Sequence, residues 1–422
     1  MMSRYRGTLG VCVACLLPCA AQSASPGAVD YAVRLQSSLQ SDSNPSLASD
    51  GTQGVRRSSL WVNTAGAAAR IPLLSDDTRL DIAGTAGVAR FGQQSQLNYQ
   101  PRRFDSTLHW RAGRLFVGQI GYQYEHERYT SDRIFPAGDT VTTRGLDGVL
   151  GMRVSEALTL PQIRVFQQRT RYGATENQRI FDQDDRGFEL TAEYRSPTGS
   201  SLSGGLQQTS STFPLRGGPD TAGLADKYID REWFVRSTWR YSVKTALSGR
   251  LGWLNRSYPD GTQSDVHLLT ADLSADWQMS PKTQVRLGVW QHPYINDNQP
   301  TALYSTLRGG GVAINWQMSP KTAVGLQGSY ETLRDRIAGQ ADQLSTRTQY
   351  GMRFTWQAWK GGALVLDGYR SQERSDERWN RYRQNVVRVG IVVYLDSGNA
   401  AVREMLVPRK CQWSYVEDSL CR

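Results

Sequence analysis

The segment Trp277-Gln278-Met279-Ser280-Pro281-Lys282-Thr283 recurs unchanged, 39 residues later, as Trp316-Gln317-Met318-Ser319-Pro320-Lys321-Thr322. Looser copies flank the pair: Trp239-Arg240-Tyr241-Ser242-Val243-Lys244-Thr245 before it, and Trp356-Gln357-Ala358-Trp359-Lys360 after it. Periods of this size are found in propeller blades and in helical repeats, so the flanking residues decide. In Thr283-Gln284-Val285-Arg286-Leu287-Gly288-Val289 the odd positions are apolar and the even ones polar or Gly. Tyr350, Met352, Phe354 and Trp356 are likewise separated by Gly351, Arg353 and Thr355. This is period two, the signature of a strand with one apolar face. A propeller repeat holds four short strands, whereas each repeat here holds two long ones, so the unit is a hairpin.

Working outward, the same alternation predicts strands over 29–41, 56–71, 78–91, 102–111, 115–130, 142–154, 158–172, 183–195, 201–213, 228–241, 245–258, 264–278, 283–295, 302–317, 322–335, 342–357, 363–375 and 378–395. Many of these runs exceed the roughly 5–6 residues usual in soluble sheets and suit a tilted membrane crossing. Short links alternate with longer polar ones, as periplasmic turns and external loops do in transmembrane barrels. The fold class expected is an all-β transmembrane antiparallel β-barrel of about 18 strands, with sixteen as the neighbouring even count. An even count returns both chain ends to the periplasm.

Composition agrees. Of 422 residues only 39% are hydrophobic, 10% are aromatic, and mean hydropathy is -0.51. That excludes a helical membrane protein, while the aromatics and dispersed charges argue against disorder. A chain whose apolar residues cover one face of a closed sheet needs no more of them than this.

Residues 1–23 read as a secretory signal: Arg4 and Arg6, then the apolar run from Val11 to Ala21, then Ala21-Gln22-Ser23 as a small-residue cleavage site. Residues 24–395 form the expected barrel and 396–422 a C-terminal periplasmic tail. Removing the signal takes away Cys12, Cys15 and Cys19 and leaves Cys411 and Cys421 in the tail, a natural disulfide in an oxidising compartment. A metal site there would lack a nearby His or further Cys.

The Trp preceding each short link has a physical role, because an indole favours the membrane interface. Trp110, Trp239, Trp277, Trp316 and Trp356 share the apolar parity and mark the expected periplasmic girdle, with Tyr122, Tyr172, Tyr258, Tyr294 and Tyr330 as the opposite one. Sandwich-core aromatics are the alternative. The other parity then lines a lumen. Its arginines are Arg153, Arg164, Arg195, Arg236, Arg240, Arg250, Arg256, Arg286, Arg347, Arg353 and Arg388. Its acids are Asp147, Glu189, Glu193, Glu232, Asp272, Asp276 and Asp367, fewer than the arginines. Such an excess favours anions, with Arg250 and Arg286 the leading candidates at mid-strand. Alternatively these charges pair across strands and brace the wall, Asp272 and Asp276 doing so between those two arginines.

The stretch from Leu35 to Pro45 ending in Ser41-Asp42-Ser43-Asn44, the repeated Trp-x-x-Ser-Pro-Lys-Thr turns and the closing strand Val386-Val387-Arg388-Val389-Gly390-Ile391 together resemble the β-barrel porin-2 group. That group includes the EpsL-like outer-membrane proteins encoded with exopolysaccharide biosynthesis machinery. The resemblance implies an outer-membrane barrel serving polysaccharide export, with outer-membrane lipid, a polysaccharide and periplasmic export machinery as partners. It transfers no binding residue. The chain departs from many outer-membrane barrels in continuing about 27 residues beyond Leu395, and this tail either docks on a partner or folds back.

Four His, His109, His126, His267 and His292, sit in no recognisable Ser/His/Asp spacing; there is no G-x-S-x-G, no P-loop and no His/Cys cluster. Catalytic residues, metal and cofactor are therefore all expected to be none, and a secreted chain makes nucleic acid an unsuitable partner. The functions expected are a pore exporting an acidic exopolysaccharide through an Arg-rich lumen, a general or anion-preferring diffusion porin for small solutes, or a non-conducting outer-membrane scaffold. All place the chain in the outer membrane of a Gram-negative bacterium.

Overall fold

Period-two sequence becomes period-two burial around one closed wall. The computed structural model describes residues 29–49, 57–75, 77–128, 140–173, 179–216, 224–259, 263–294, 302–337, 340–376 and 381–407. The expected signal, Cys411 and Cys421 lie outside the described residues. The strands are β1 (Asp30–Asp42), β2 (Ser58–Ser75), β3 (Thr78–Phe91), β4 (Arg102–Ala112), β5 (Phe116–Arg128), β6 (Thr140–Arg153), β7 (Leu158–Tyr172), β8 (Gln183–Arg195), β9 (Ser201–Thr212), β10 (Lys227–Ser242), β11 (Thr245–Ser257), β12 (Val266–Ser280), β13 (Thr283–Tyr294), β14 (Ala302–Ser319), β15 (Thr322–Ile337), β16 (Gln343–Trp359), β17 (Gly362–Ser375) and β18 (Tyr382–Asp396). Each pairs antiparallel with its sequence neighbour, and β1 pairs with β18 from Ala32↔Asp396 to Asp42↔Val386. The eighteen-strand expectation holds, and closure removes every sheet edge, as a strand fold in lipid requires.

The outward parity carries exposed Leu35, Ile120, Val165, Leu251, Leu287 and Val389, whereas the inward parity carries buried Ser38, Glu189, Glu232, Asp367 and Ser371. This inversion of the soluble pattern is the mark of a wall with lipid outside and polar groups inside. The start of β1, the end of β18 and the short links, such as that between Ser280 and Thr283, share one rim. The longer links share the other.

The repeated turns are built alike. Ser280 Oγ accepts from Lys282 N and Ser319 Oγ from Lys321 N, each at 3.2 Å. The strand before each turn also hooks onto the preceding turn: Gln278 N donates to Lys244 O, Gln317 N to Lys282 O and Gln357 N to Lys321 O, all at 2.7 Å. The sequence recurs because one hydrogen-bonding geometry recurs. Where the related turn lacks Pro, Gly361 takes φ of 78°, which Gly adopts without steric cost.

Trp239, Trp277, Trp316 and Trp356 are exposed on the outer face near the short turns, and Trp110 has the same parity. The expected opposite girdle needs correction. Tyr122 and Tyr330 do face outward, but Tyr258 is buried in a cluster with Phe213, Ala225 and Tyr228, Tyr172 stacks edge-on to Phe181, and Tyr294 packs against Trp290 and Leu307. All three share the parity of the inward arginines Arg164, Arg256 and Arg286 and so point into the barrel, where the loop residues Phe181 and Phe213 cover Tyr172 and Tyr258. Trp61, Trp233 and Trp253 occupy the outer face towards that rim instead.

The seam between first and last strand is pinned at both rims. At the loop rim Asp42 accepts from Asn44 N and from Gln384 Nε2, each at 2.9 Å, and Asn44 Nδ2 donates to Arg383 O at 3.2 Å. At the turn rim Asp30 accepts from Ser397 Oγ at 3.1 Å and from Asn399 Nδ2 at 2.6 Å. The Ser41-Asp42-Ser43-Asn44 stretch is thus a structural staple.

Candidate functional site

The inward register places the arginines of the polar parity on one continuous surface, and most of them are held by carboxylates. Arg256 bonds Asp230 through Nε and Nη2 at 2.7 and 2.8 Å and lies 3.8 Å over the Tyr228 ring. Arg250 reaches Glu232 at 2.5 Å and Gln207 at 2.9 Å, with its guanidinium 3.9 Å over Phe234. Arg236 lies 3.6 Å from Glu189, and Arg286 bonds Asp276 at 2.6 Å. Arg347 pairs with Glu373 at 2.8 Å, while Arg353 and Arg388 share Asp367, each at 2.5 Å. Arg195 binds Glu193 at 2.7 Å.

Arg153, Arg164 and Arg240 differ. Among the described residues none of them has a carboxylate within ion-pair distance; Arg164 lies 5.2 Å over the Phe166 ring, and Arg240 rests beside Gly199. Asp272, opposite Arg250 in register, also has no ion pair among the described residues, because Arg250 turns towards β9 and β10. Asp276 therefore neutralises Arg286, and Asp272 does not neutralise Arg250.

The same register adds inward residues that the sequence reading left out. They are Asp30, Asp42, Asp81, Asp105, Glu125, Glu127, Asp185, Asp230, Glu331, Asp335 and Glu373, against Arg34, Arg70, Arg79, Arg103 and Arg111. The arginine excess drawn from the shorter set is cancelled, a correction to the expected Arg-rich lumen. Period-two parity was sufficient to find these residues once strand ends were known, since many sit within a few residues of a rim.

A further correction concerns the chain's end. Beyond β18 the backbone enters a short helix, α1 (Ala400–Glu404), whose first turn is capped by Asn399 accepting from Ala401 N at 3.0 Å. Val402 and Leu406 are buried against Ala32, Ala68 and Ala83, and Arg103 donates to Val407 O at 3.1 Å. These are inward positions of β1 to β4, so residues 399–407 lie along the inner wall and not in the periplasm. The small side chains there, with Gly66 at the contact, make room for the segment; a Cβ at Gly66 would lie 3.2 Å from Leu406 Cδ2.

At the loop rim Arg216 caps the wall of β7 to β11. Its guanidinium lies 3.7 Å over Phe213 and 5.6 Å over Phe181, and it donates to Ile180 O and Ala225 O. Burial pushes it down to about 10, so it stays charged at neutral pH. Among the described residues no group of three His, Cys, Asp or Glu is placed to hold a metal.

No protein-family model matches the chain, and no curated protein matches it by sequence. Solved structures do match in fold. OccK2 (OpdF) of Pseudomonas aeruginosa has a TM-score of 0.51 at 12% identity, covering 88% of this chain and 98% of that one. The outer membrane protein opdK of the same organism gives 0.50 at 11% identity, with 87% and 99% covered, and the structure of OpdK with vanillate gives 0.50 at 11%, with 87% and 98% covered. At such identities the likeness is one of fold. A closed wall of eighteen antiparallel strands, apolar outside and polar inside, built as in these proteins, makes this chain a β-barrel of the bacterial outer membrane.

Proposed function

We propose that the chain is a diffusion channel for small polar solutes. The observation that carries this reading is the inner wall itself, where carboxylates and arginines are both abundant and most arginines are already bound to carboxylates. A field balanced in this way admits solutes of either sign and holds none tightly. Arg236, Arg250, Arg256, Arg286, Arg347, Arg353 and Arg388 act as wall braces. Among the described residues Arg153, Arg164 and Arg240 are inward guanidiniums without an ion pair, open to a passing anion, and Asp147 and Asp272 are inward carboxylates without one, open to a cation. The fold shared with OpdK, a structure of which was solved with vanillate, supports small-solute passage.

Export of an exopolysaccharide is the second reading, favoured by a strip of inward amides, Gln119, Gln123, Gln162, Gln168 and Gln207, with Phe166 among them. Amides match sugar hydroxyls and an aromatic ring matches a sugar face. Swelling of proteoliposomes in a series from monosaccharides to long oligosaccharides separates the two. Permeation that ends at small sugars supports the diffusion channel. Passage of long acidic glycans, with binding that blocks ion current, transfers support to export.

A further inference from the structure

The outer surface carries basic residues near the loop rim, and nothing in solute passage requires them there. Outward positions of β6 to β10 near the loop rim include Arg144, Arg169, Arg171, Arg186, Lys227 and Arg231, with Asp184 as their acid. The register Arg144↔Arg169↔Asp184↔Thr212↔Lys227 puts part of this set in one row across five strands, roughly 19 Å wide at about 4.8 Å per strand. Arg171 is engaged by Asp184 at 2.6 Å, but Arg144, Arg186 and Arg231 are exposed, and the side chain of Arg169 is 54% exposed.

Directly towards the membrane lies an apolar groove of about 750 Å³ on the same outer face, lined by Leu190, Leu206, Trp233, Val235, Leu251 and Trp253. It exists because β9 presents Gly204 between bulky neighbours. A Cβ there would have only Phe234 O within 4 Å, at 3.8 Å, so the space is open. Trp233 follows Arg231, and Leu190 follows Arg186, along one strand face, which joins groove and basic patch into one surface.

We propose that this surface binds a phosphorylated, multiply acylated glycolipid of the outer leaflet. The loop rim faces that leaflet if the short turns are periplasmic. Planar guanidinium forks recognise phosphate oxygens bidentately, and basic pockets beside an apolar wall recognise anionic lipid heads. The guanidiniums take the phosphates and the groove takes an acyl chain. A second copy of this chain would have to bring a matching acidic patch, and the outward face near this rim supplies only Asp184 in these strands.

The test uses the full barrel in detergent, titrated by native mass spectrometry with bisphosphorylated hexa-acyl lipid A, its dephosphorylated form, and dioleoyl phosphatidylethanolamine. Bisphosphorylated lipid A should bind best, and Arg186→Gln with Arg231→Gln should weaken it about tenfold or more, while sparing the dephosphorylated form. Gly204→Leu, which fills the groove without touching charge, should weaken both glycolipids. If the arginine pair misfolds, judged by heat-modifiable gel mobility, Arg144→Gln with Lys227→Gln provides the same reading. Equal binding of the three lipids, or lipid A binding unchanged in the folded arginine and Gly204 variants, overturns the proposal. A dimer lost on Gly204→Leu would assign the groove to a second copy and also overturn it.

Discussion

The inner wall of β16 to β18 and the inner wall of β1 to β3 use the same alternation for opposite ends. In β16 to β18 the inward positions carry Arg347, Arg353 and Arg388 with Asp367 and Glu373, and Asp367 is only 2% exposed beneath its two arginines. In β1 to β3 the inward pair Arg70–Asp81 gives way to Ala32, Gly66, Ala68 and Ala83, and residues 399–407 cover these small residues. One sector is stiffened by charge pairs throughout, the other carries a smooth patch on which a segment can lie. The wall architecture is therefore uniform, while the surface offered to a solute varies by sector.

The sharpest way to break this contrast is to remove the hub of the charged sector. Asp367→Ala leaves Arg353 and Arg388 without their shared carboxylate and should destabilise the barrel by about 3–5 kcal/mol, the range for breaking a buried pair from one side. Asp272→Ala, which breaks no ion pair, should cost far less. Urea unfolding in lipid vesicles measures both, and equal losses would mean that the Asp367 cluster is not a brace.

The small-residue sector is tested next. Leu406→Asp puts a charge where Val402 and Leu406 meet three alanines, and should release the terminal segment at a local cost of about 2 kcal/mol. Single-channel conductance should rise while heat-modifiable mobility is retained, and a chain ending at residue 396 should behave alike. Unchanged conductance in both would show that the segment does not narrow the path.

Between these sectors, Arg164→Ala should shift the reversal potential towards cations with little change in stability, because that arginine makes no ion pair among the described residues. Arg388→Ala should reverse that ranking, losing stability first. Equal shifts in selectivity from the two would erase the distinction between brace and lining. The smallest effect is expected outside the wall: Trp277→Ala should cost about 1 kcal/mol of interfacial anchoring, read from the same unfolding curves.

Parity made most of this wall legible. The repeated Trp-Gln-Met-Ser-Pro-Lys-Thr turn located two hairpins, and β7, predicted over 158–172, is Leu158–Tyr172. Agreement is poorer where local pattern weakens: β2 runs on to Ser75 through Ile71 and Pro72, and β18 starts at Tyr382 rather than 378. The inward acids Glu331 and Glu373 have the parity expected of a lumen, but an acid near a rim reads equally well as a loop residue. For the tail, the i, i+4 pair Val402 and Leu406 marks an apolar helical stripe, yet nothing local names the surface that receives it.

The sequence by itself determined the alternation, the hairpin unit and the even strand count, because these follow from residue-to-residue periodicity and from the need to satisfy every backbone group within a membrane. Only the tertiary structure decided which carboxylate each arginine takes. Arg250 turns from Asp272, its register neighbour, to Glu232 and Gln207, and Arg353 and Arg388 converge on one Asp367. Long side chains choose among partners on both flanking strands and beyond, and that choice depends on curvature and packing around the closed wall. The inward fold of residues 399–407 is fixed in the same way: the pairings Ala32↔Ala68 and Ala68↔Ala83 set the alanines side by side, and only the closure of β18 onto β1 brings the segment after β18 back to them.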